Sequence, residues 1–574
     1  LSSTGTFDQR GAADSKEAAM SQTHPPLLAT HEVTNQPPPL EEVNLYELNL
    51  PLQEALRREG GGWAHRDLVA RGAELGSAEM LERASLANRH APTLKLFDRY
   101  GHRCDEVEFH PAWHELLGYM KRHGLDSGPW ADPKPGAHVT RAAHYLLYSE
   151  VENGSQCPIT MTYGAVPAVS REVEIAREWL PLLLSRDYDK RVIPANRKRG
   201  ALMGMGMTEK QGGSDVRANT TRAEALGVGG PGAEYRLIGH KWFFSAPMCD
   251  AFLVLAQAAG GLSCFFMPRF KPDGTLNEVR IQRLKDKLGD RSNAGTEVEF
   301  WGAYARLVGE EGKGISTILE MGTYTRLDCA LGTAGLMRQS LSQALHHASH
   351  RSAFGQRLIE QPLMENVLAD LALESEAATA ITMRLARAFD RDQADEHEAL
   401  IKRFLTPATK YWICKRGPAL AAEAMEVLGG NGYVEDGIIA RIYRQMPLNS
   451  IWEGSGNIMC LDVLRAIAKH PRVLEALAAE LEPSEGRNAT LDRFAAELID
   501  ELMQEDVGPG NARRLSQAIV LAMQAALLVQ HAPDCVAEAF CATRLQSDWG
   551  QAFGTLPRRV DARGILHRAW PVKQ

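Results

Sequence analysis

Two long stretches in which apolar residues recur three and four apart flank a central block in which they alternate. A chain that changes period twice in this way is constrained to fold as helices, then sheet, then helices again. From about residue 41 to 197 the spacing of Trp113, Leu116, Leu117 and Met120, and of Val173, Ala176, Leu180 and Leu183, predicts amphipathic helices. Between about 198 and 305 strands are expected at 235–238, 241–245, 252–257, 262–267, 279–284 and 297–300, separated by Gly, Pro, Asn and Asp. After Gly312-Lys313-Gly314 helices return at 314–321, 328–351, 361–391, 396–415 and 419–428. The expected class is therefore α+β and mainly α. It comprises a helical domain over 41–197, a β-domain over 198–305, a helical bundle over 306–465 and a helical extension over 466–574. At 574 residues the chain exceeds one hydrophobic core, which suits several packed units.

Residues 1–40, rich in Ser, Thr, Ala, Gly and Pro and ending in Pro37-Pro38-Pro39, read as a flexible arm, within which Met20 is a candidate natural start. The apolar runs, 518–529 among them, read as too short to cross a bilayer, so no membrane partner is expected. Nine singly placed cysteines without CxxC pairs suggest reduced thiols in a cytoplasmic enzyme. A formal net charge of −8 argues against a uniformly basic nucleic-acid coat. His110 and His114 stand four apart, a spacing that suits a metal on a helix face, but no third ligand accompanies them; the pair reads as a helix start and no metal is expected.

Five segments carry chemistry. Glu453 precedes Gly454-Ser455-Gly456-Asn457, so one carboxylate stands beside backbone that a flat ligand can approach closely; a glycine-capped helix end reads the same way. Gly206-Met207-Thr208-Glu209-Lys210-Gln211-Gly212-Gly213-Ser214-Asp215 gathers hydroxyls and glycine amides in one loop, suited to phosphate or pyrimidine oxygens, or simply to a polar turn. In Gly239-His240-Lys241-Trp242-Phe243-Phe244-Ser245, strand alternation lets Phe243 and Ser245 share a face opposite Trp242 and Phe244, unless all three aromatics are core. Arg351-Ser352-Ala353-Phe354-Gly355, and later Gly429-Gly430-Asn431-Gly432, serve equally as helix caps or as phosphate and adenine contacts.

Taken in order, these segments resemble the acyl-CoA dehydrogenase superfamily, together with Lys287-Leu288-Gly289-Asp290-Arg291-Ser292 and Thr296-Glu297-Val298-Glu299-Phe300 as fold markers. The resemblance implies an FAD protein. Met207, Thr208, Gly213, Ser214, Phe243, Ser245, Ser455 and Asn457 would lie about the flavin, Gly429 and Gly430 would let the adenosine side of the FAD pack closely, and Arg351 and Phe354 would reach the FAD of a neighbouring subunit. Glu453 would take an α-proton from an acyl-CoA. Some members place their glutamate immediately before the arginine matching Arg326; here that position is Thr325, which leaves Glu453 as the base.

The arm, Lys210-Gln211 in the loop, Trp242-Phe243-Phe244 and the long extension most resemble the branch of that family belonging to the DNA alkylation response. This implies a homotetramer that binds double-stranded DNA without sequence preference and limits alkylation damage, with weak dehydrogenase activity. The alternative is a conventional dehydrogenase of short or branched acyl-CoA without a DNA role. Residues 461–510 hold 5 Lys+Arg against 11 Asp+Glu, a net of −6, whereas 511–574 hold 8 against 4, a net of +4. Arg513, Arg514, Arg544, Arg558, Arg559, Arg563 and Arg568 are the candidate phosphate-binding stripe; charge alone favours a solvated helical face, and it is the resemblance that points to DNA.

Overall fold

The computed structural model describes residues 30–504, 508–546 and 550–571. Met20 and most of the expected arm lie outside the described residues. Residues 30–40 form no helix or strand, yet they are tethered rather than loose. Asn35 exchanges two hydrogen bonds of 2.8 Å with Ser352, and the Pro38 carbonyl is 2.8 Å from His346 Nε2.

The first helical block includes Ala78–Arg89, Pro111–Arg122, Ala137–Ser149 and Val173–Leu183, and between the last two runs α1 (Gln156–Val169). His110 begins the helix Pro111–Arg122 by accepting the Ala112 amide proton, while His114 pairs with the Tyr188 hydroxyl at 2.7 Å. Contrary to the helical reading of this block, β1 (Thr93–Phe97) and β2 (Arg103–Glu108) form an antiparallel hairpin. Asp98 closes its turn by accepting from the amides of Tyr100 and His102. The hairpin docks on the central sheet, because the Ile281 amide donates to Asp105 and Arg103 donates to the Ile281 carbonyl.

That sheet contains β3 (Met203–Thr208), β4 (Arg222–Ala225), β5 (Glu234–Ser245), β6 (Ala251–Ala258), β7 (Gly261–Pro268), β8 (Val279–Leu284) and β9 (Gly295–Val308). Its order is β3-β5-β4-β6-β7-β9-β8, and further β3–β6 and β5–β9 pairings wrap it on itself. The two strands expected at 235–238 and 241–245 are one. Gly239 keeps them continuous at φ +152°, where a Cβ would come 2.5 Å from the Thr221 hydroxyl. The strands β3 and β4 were not separately expected; each is short, and β3 alternates glycine with methionine.

The remaining helices are longer than their sequence signals. The segments expected at 314–321 and 328–351 merge into α2 (Gly314–His350), followed by α3 (Pro362–Arg391). Those expected at 396–415 and 419–428 merge into α4 (Glu396–Val427), which continues through Pro407 and Pro418 because it is packed along its length. The helix α5 (Gly456–Lys469) follows Glu453 directly, and the extension adds, among others, α6 (Ala512–His531). Among the described residues one helix, Pro509–His531, is long and apolar enough by length and composition to cross a membrane, unlike the reading of 518–529. It is 78% buried inside the protein over that apolar window, as a core helix would be.

Buried charge ties these layers together. Arg141, on the helix Ala137–Ser149, grips both oxygens of Asp328 on α2, with Nη2 to Oδ2 at 2.7 Å; Thr160 of α1 donates to the same carboxylate at 2.7 Å. In the sheet, Lys241 meets Glu209 at 2.8 Å with neither side chain exposed. Burial lowers Lys241 to about 8 in spite of its partner. Against the desolvation that would raise it, Lys241 and hydrogen bonds from Thr221 and Thr220 hold the Glu209 carboxyl well below the usual range. Lys241→Met strands that carboxylate and should cost roughly 3–5 kcal/mol. Chemical denaturation should show a lower midpoint; an unchanged midpoint would mean the pair is dispensable.

Candidate functional site

Glu453 lies between the end of a 3₁₀ turn at Met446–Ser450 and the start of α5, in a left-handed conformation with φ +57°. A glutamate rarely adopts this, so its neighbours must hold it there. Lys410, buried on α4, donates to the carbonyls on both sides, at 2.7 Å from Trp452 O and 2.5 Å from Gly454 O. Arg326 of α2 donates to the Glu453 carbonyl at 3.0 Å and pairs with Asp462 of α5 at 3.0 Å. Gly454 supplies the next turn at φ +106°.

The Glu453 carboxylate accepts one short bond, 2.6 Å, from the Thr325 hydroxyl. Desolvation raises its pKa above the ordinary glutamate value, offset in part by Thr325 and by the charges of Arg326 and Lys410. The result is a carboxylate poised to accept a proton. Among the described residues no acceptor takes the Glu453 amide proton, so one backbone donor stands beside the carboxylate. The carboxylate faces a cavity bounded by α1 (Gln156, Cys157, Thr160, Met161), by α2 (Thr325, Asp328, Cys329, Gly332), and by Tyr145, Asn153, Gln445, Asn449 and Trp452.

The sheet reaches this region through the Met203 amide, which donates to Thr162 on α1 at 2.9 Å. Its edge carries the loop and strand singled out in the sequence, with Met205 opposite Ser245 and Thr208 opposite Phe243. A register shift in β5 between Lys241 and Phe244 lets Phe244 enter the core while Phe243 stays 52% exposed. Trp242 is half-buried beneath Lys285, whose ammonium is 3.4 Å from the ring centre, so only one of the three aromatics is core. Gly213 lies so close to Thr208 that any side chain there would collide with the hydroxyl, and Ser214 is exposed beside it. Met207 and Thr208 are half-buried. An exposed aromatic, two hydroxyls and glycine backbone on one edge fit the ring and polar rim of a flavin.

A second cluster gathers elsewhere. Arg351 donates to the Asn35 carbonyl at 2.5 Å, and Asn431 approaches Gln36 at 3.4 Å, so the tethered arm spans the Arg351 and Gly429-Gly430 segments. Phe354 is fully exposed at φ +53°, and a Cβ at Gly429 or Gly430 would meet nothing within 4 Å. Among the described residues, these do not meet Glu453 in any hydrogen bond or ring contact.

The arginine stripe is corrected. Arg544 is buried against Asp370 and Glu374, and Arg568 pairs with Glu54 at 2.5 Å and Glu376 at 2.8 Å, so both serve packing. Arg513 turns to the start of α5: its Nε donates to Asn457 Oδ1 at 2.8 Å, and its guanidinium lies 5.8 Å from the Tyr411 ring centre. Arg514 pairs with Glu501, and Arg563, 85% exposed, lies 3.3 Å from Glu365. Arg558 and Arg559 are exposed. Ser455 is the residue before α5 and makes no side-chain cap. Sequence reasoning missed Lys410 and the Arg141–Asp328–Thr160 wall; a lone lysine in the mostly apolar run 404–414 was the available signal.

Residues 35–190 match the family model described as the adaptive response protein AidB N-terminal domain, residues 204–302 the acyl-CoA dehydrogenase middle domain, and residues 312–468 the acyl-CoA dehydrogenase C-terminal domain. The chain is 50% identical over 525 residues to the putative acyl-CoA dehydrogenase AidB of Escherichia coli strain K12, covering 91% of this chain and 95% of the relative. The structure of Caenorhabditis elegans ACDH-11 in complex with C11-CoA superposes with a TM-score of 0.79 at 26% identity, covering 96% and 95% of the two chains. The Bacillus anthracis acyl-CoA dehydrogenase complexed with FAD shares the fold, with a TM-score of 0.62 at 18% identity over 75% and 80% of the two chains.

Thr325→Val removes the one hydroxyl that favours the charged form of Glu453 and should raise its pKa further. Infrared difference spectra of the carboxyl stretch across a pH series should show protonation persisting to higher pH than in the wild type. A downward shift would mean that the hydroxyl does not act on the carboxylate.

Proposed function

Because the chain belongs to the acyl-CoA dehydrogenase family, with FAD as its cofactor, we propose that it oxidises a CoA thioester, with Glu453 as the base that removes the α-proton. The observation that carries this reading is the desolvated carboxylate, clamped in a left-handed turn by Lys410 and Arg326 and facing a cavity. FAD, when bound, supplies the hydride acceptor. Thr208, Phe243 and Ser245 offer the edge that holds it, with Gly213 and Ser214 alongside. The Glu453 amide is the donor for the thioester oxygen, where negative charge gathers as the α-proton leaves. The enclosure of the carboxylate keeps water from competing for it.

In Glu453→Gln the geometry survives and the base does not. The variant should retain bound FAD, seen by its visible spectrum, while anaerobic flavin reduction by a CoA thioester slows roughly 10²–10⁴-fold. An unchanged rate would reject Glu453 as the base.

A second reading follows from the exposed arginines of the extension. The likeness to a protein named for the adaptive response, together with exposed Arg558 and Arg559 in a segment of net charge +4, supports association with double-stranded DNA in the response to alkylation. A homotetramer would multiply that weak face and would let the exposed Phe354 and the Gly429-Gly430 loop serve a neighbour's cofactor. Binding of random-sequence duplex should weaken with salt, and Arg558→Ala/Arg559→Ala should flatten the logarithmic slope by about two. Wild-type protein that ignores duplex DNA at low salt would reject this reading, leaving the extension a packing role.

A further inference from the structure

The cavity beside Glu453 is small, and its wall sets several hydrogen-bonding groups among apolar ones. Its volume is about 30 Å³. A water needs roughly 10–15 Å³ on this measure, so there is room for a few heavy atoms. Gln156, Thr160, Tyr145, Asp328 and Asn449 contribute hydrogen-bonding groups to its wall.

Most donors of that wall are already committed within the protein. Gln156 gives its amide protons to the Tyr145 carbonyl and the Ser149 hydroxyl, at 3.3 and 2.8 Å. Asn449 gives one of its two to Thr333 at 3.0 Å. The Thr160 hydroxyl donates to Asp328 and lies 2.7 Å from the Tyr145 hydroxyl. What the wall retains is acceptor capacity. A carboxylate offers about four lone-pair positions. At Asp328 three are taken, two by Arg141 and one by Thr160, and one remains.

The placement of that vacancy is set by the helix. Thr325, which touches the Glu453 carboxylate, and Asp328 both face the cavity from α2. Three residues apart, they are separated by about 4.5 Å along the axis. A chain whose α-carbon meets Glu453 therefore brings an atom two or three bonds further on to the level of Asp328.

Resting on the reading of Glu453 as the thioester's base, we propose that this cavity selects a short acyl group, roughly four carbons long, with a hydroxyl at its far end that donates to Asp328. A longer alkyl chain has no space there.

The test is calorimetric binding to holoprotein reduced beforehand with dithionite, so that no turnover occurs. The probes are 4-hydroxybutyryl-CoA, its isostere pentanoyl-CoA, and octanoyl-CoA. The expected order is the hydroxyacyl thioester tightest, by roughly tenfold over pentanoyl, and octanoyl weakest. In Asp328→Asn, which keeps the shape, the preference for the hydroxyl should shrink; the wild-type comparison stands alone if that variant does not fold. Pentanoyl-CoA or octanoyl-CoA binding as tightly as the hydroxyacyl thioester would overturn this selectivity while leaving Glu453 as the base. Failure of all three thioesters to bind would overturn both this inference and the thioester reading.

Discussion

The Lys410 ammonium, shared between the carbonyls that flank Glu453, is the interaction on which the site depends. A left-handed, non-glycine residue costs about 1–3 kcal/mol. A hydrogen bond to a charged donor contributes about 1.5–3 kcal/mol, so two from Lys410 and a third from Arg326 outweigh that strain. The clamp is built from α2 and α4, two long packed helices, rather than from the loop that bears the glutamate. The position of the carboxylate is therefore fixed by the bundle, and the short turn before α5 merely follows it.

The same helices shape what the carboxylate meets. The helix α2 contributes both the hydroxyl that bonds Glu453 and, one turn on, the Asp328 carboxylate. Arg141 neutralises that carboxylate from a third helix, and Thr160 joins it to α1, which also receives the sheet through Met203. A buried pair of this kind adds little net stability beside a well-packed apolar alternative, but it fixes the relative register of the elements it joins. The sheet repeats the device with Lys241 and Glu209, which fasten the loop that follows Thr208 to the strand holding Ser245. Glu453, the cavity wall and the sheet are thus joined by buried polar contacts, ion pairs among them.

The parts legible in the sequence were those whose residues act on their own backbone. The change of period located the sheet, and a glutamate followed by Gly-Ser-Gly marked a tight turn that brings a carboxylate to the cavity. The hairpin at 93–108 escaped because two strands of five and six residues give too little alternation to stand out among helices. Helix junctions expected near 322–327 and 416–418 vanished because packing along α2 and α4 overrides local signals, Pro418 included. The arginine stripe failed for a different reason. Counting charge cannot separate Arg558 at the surface from Arg544 against Asp370 and Glu374, since both add one to the same total. Lys410 was hidden likewise: its partners are carbonyls more than forty residues away, which sequence spacing does not display.

The measurement that bears most directly on this account is exchange of the α-protons of a bound short acyl-CoA with solvent deuterium, followed by NMR in the holoprotein and in Glu453→Gln. It isolates proton removal from the fate of the electrons. If the clamped carboxylate is the base, deuterium should enter the α-carbon in the wild type and not in the variant. Exchange at the same rate in both proteins, or none in a wild type shown to bind the thioester, would contradict it.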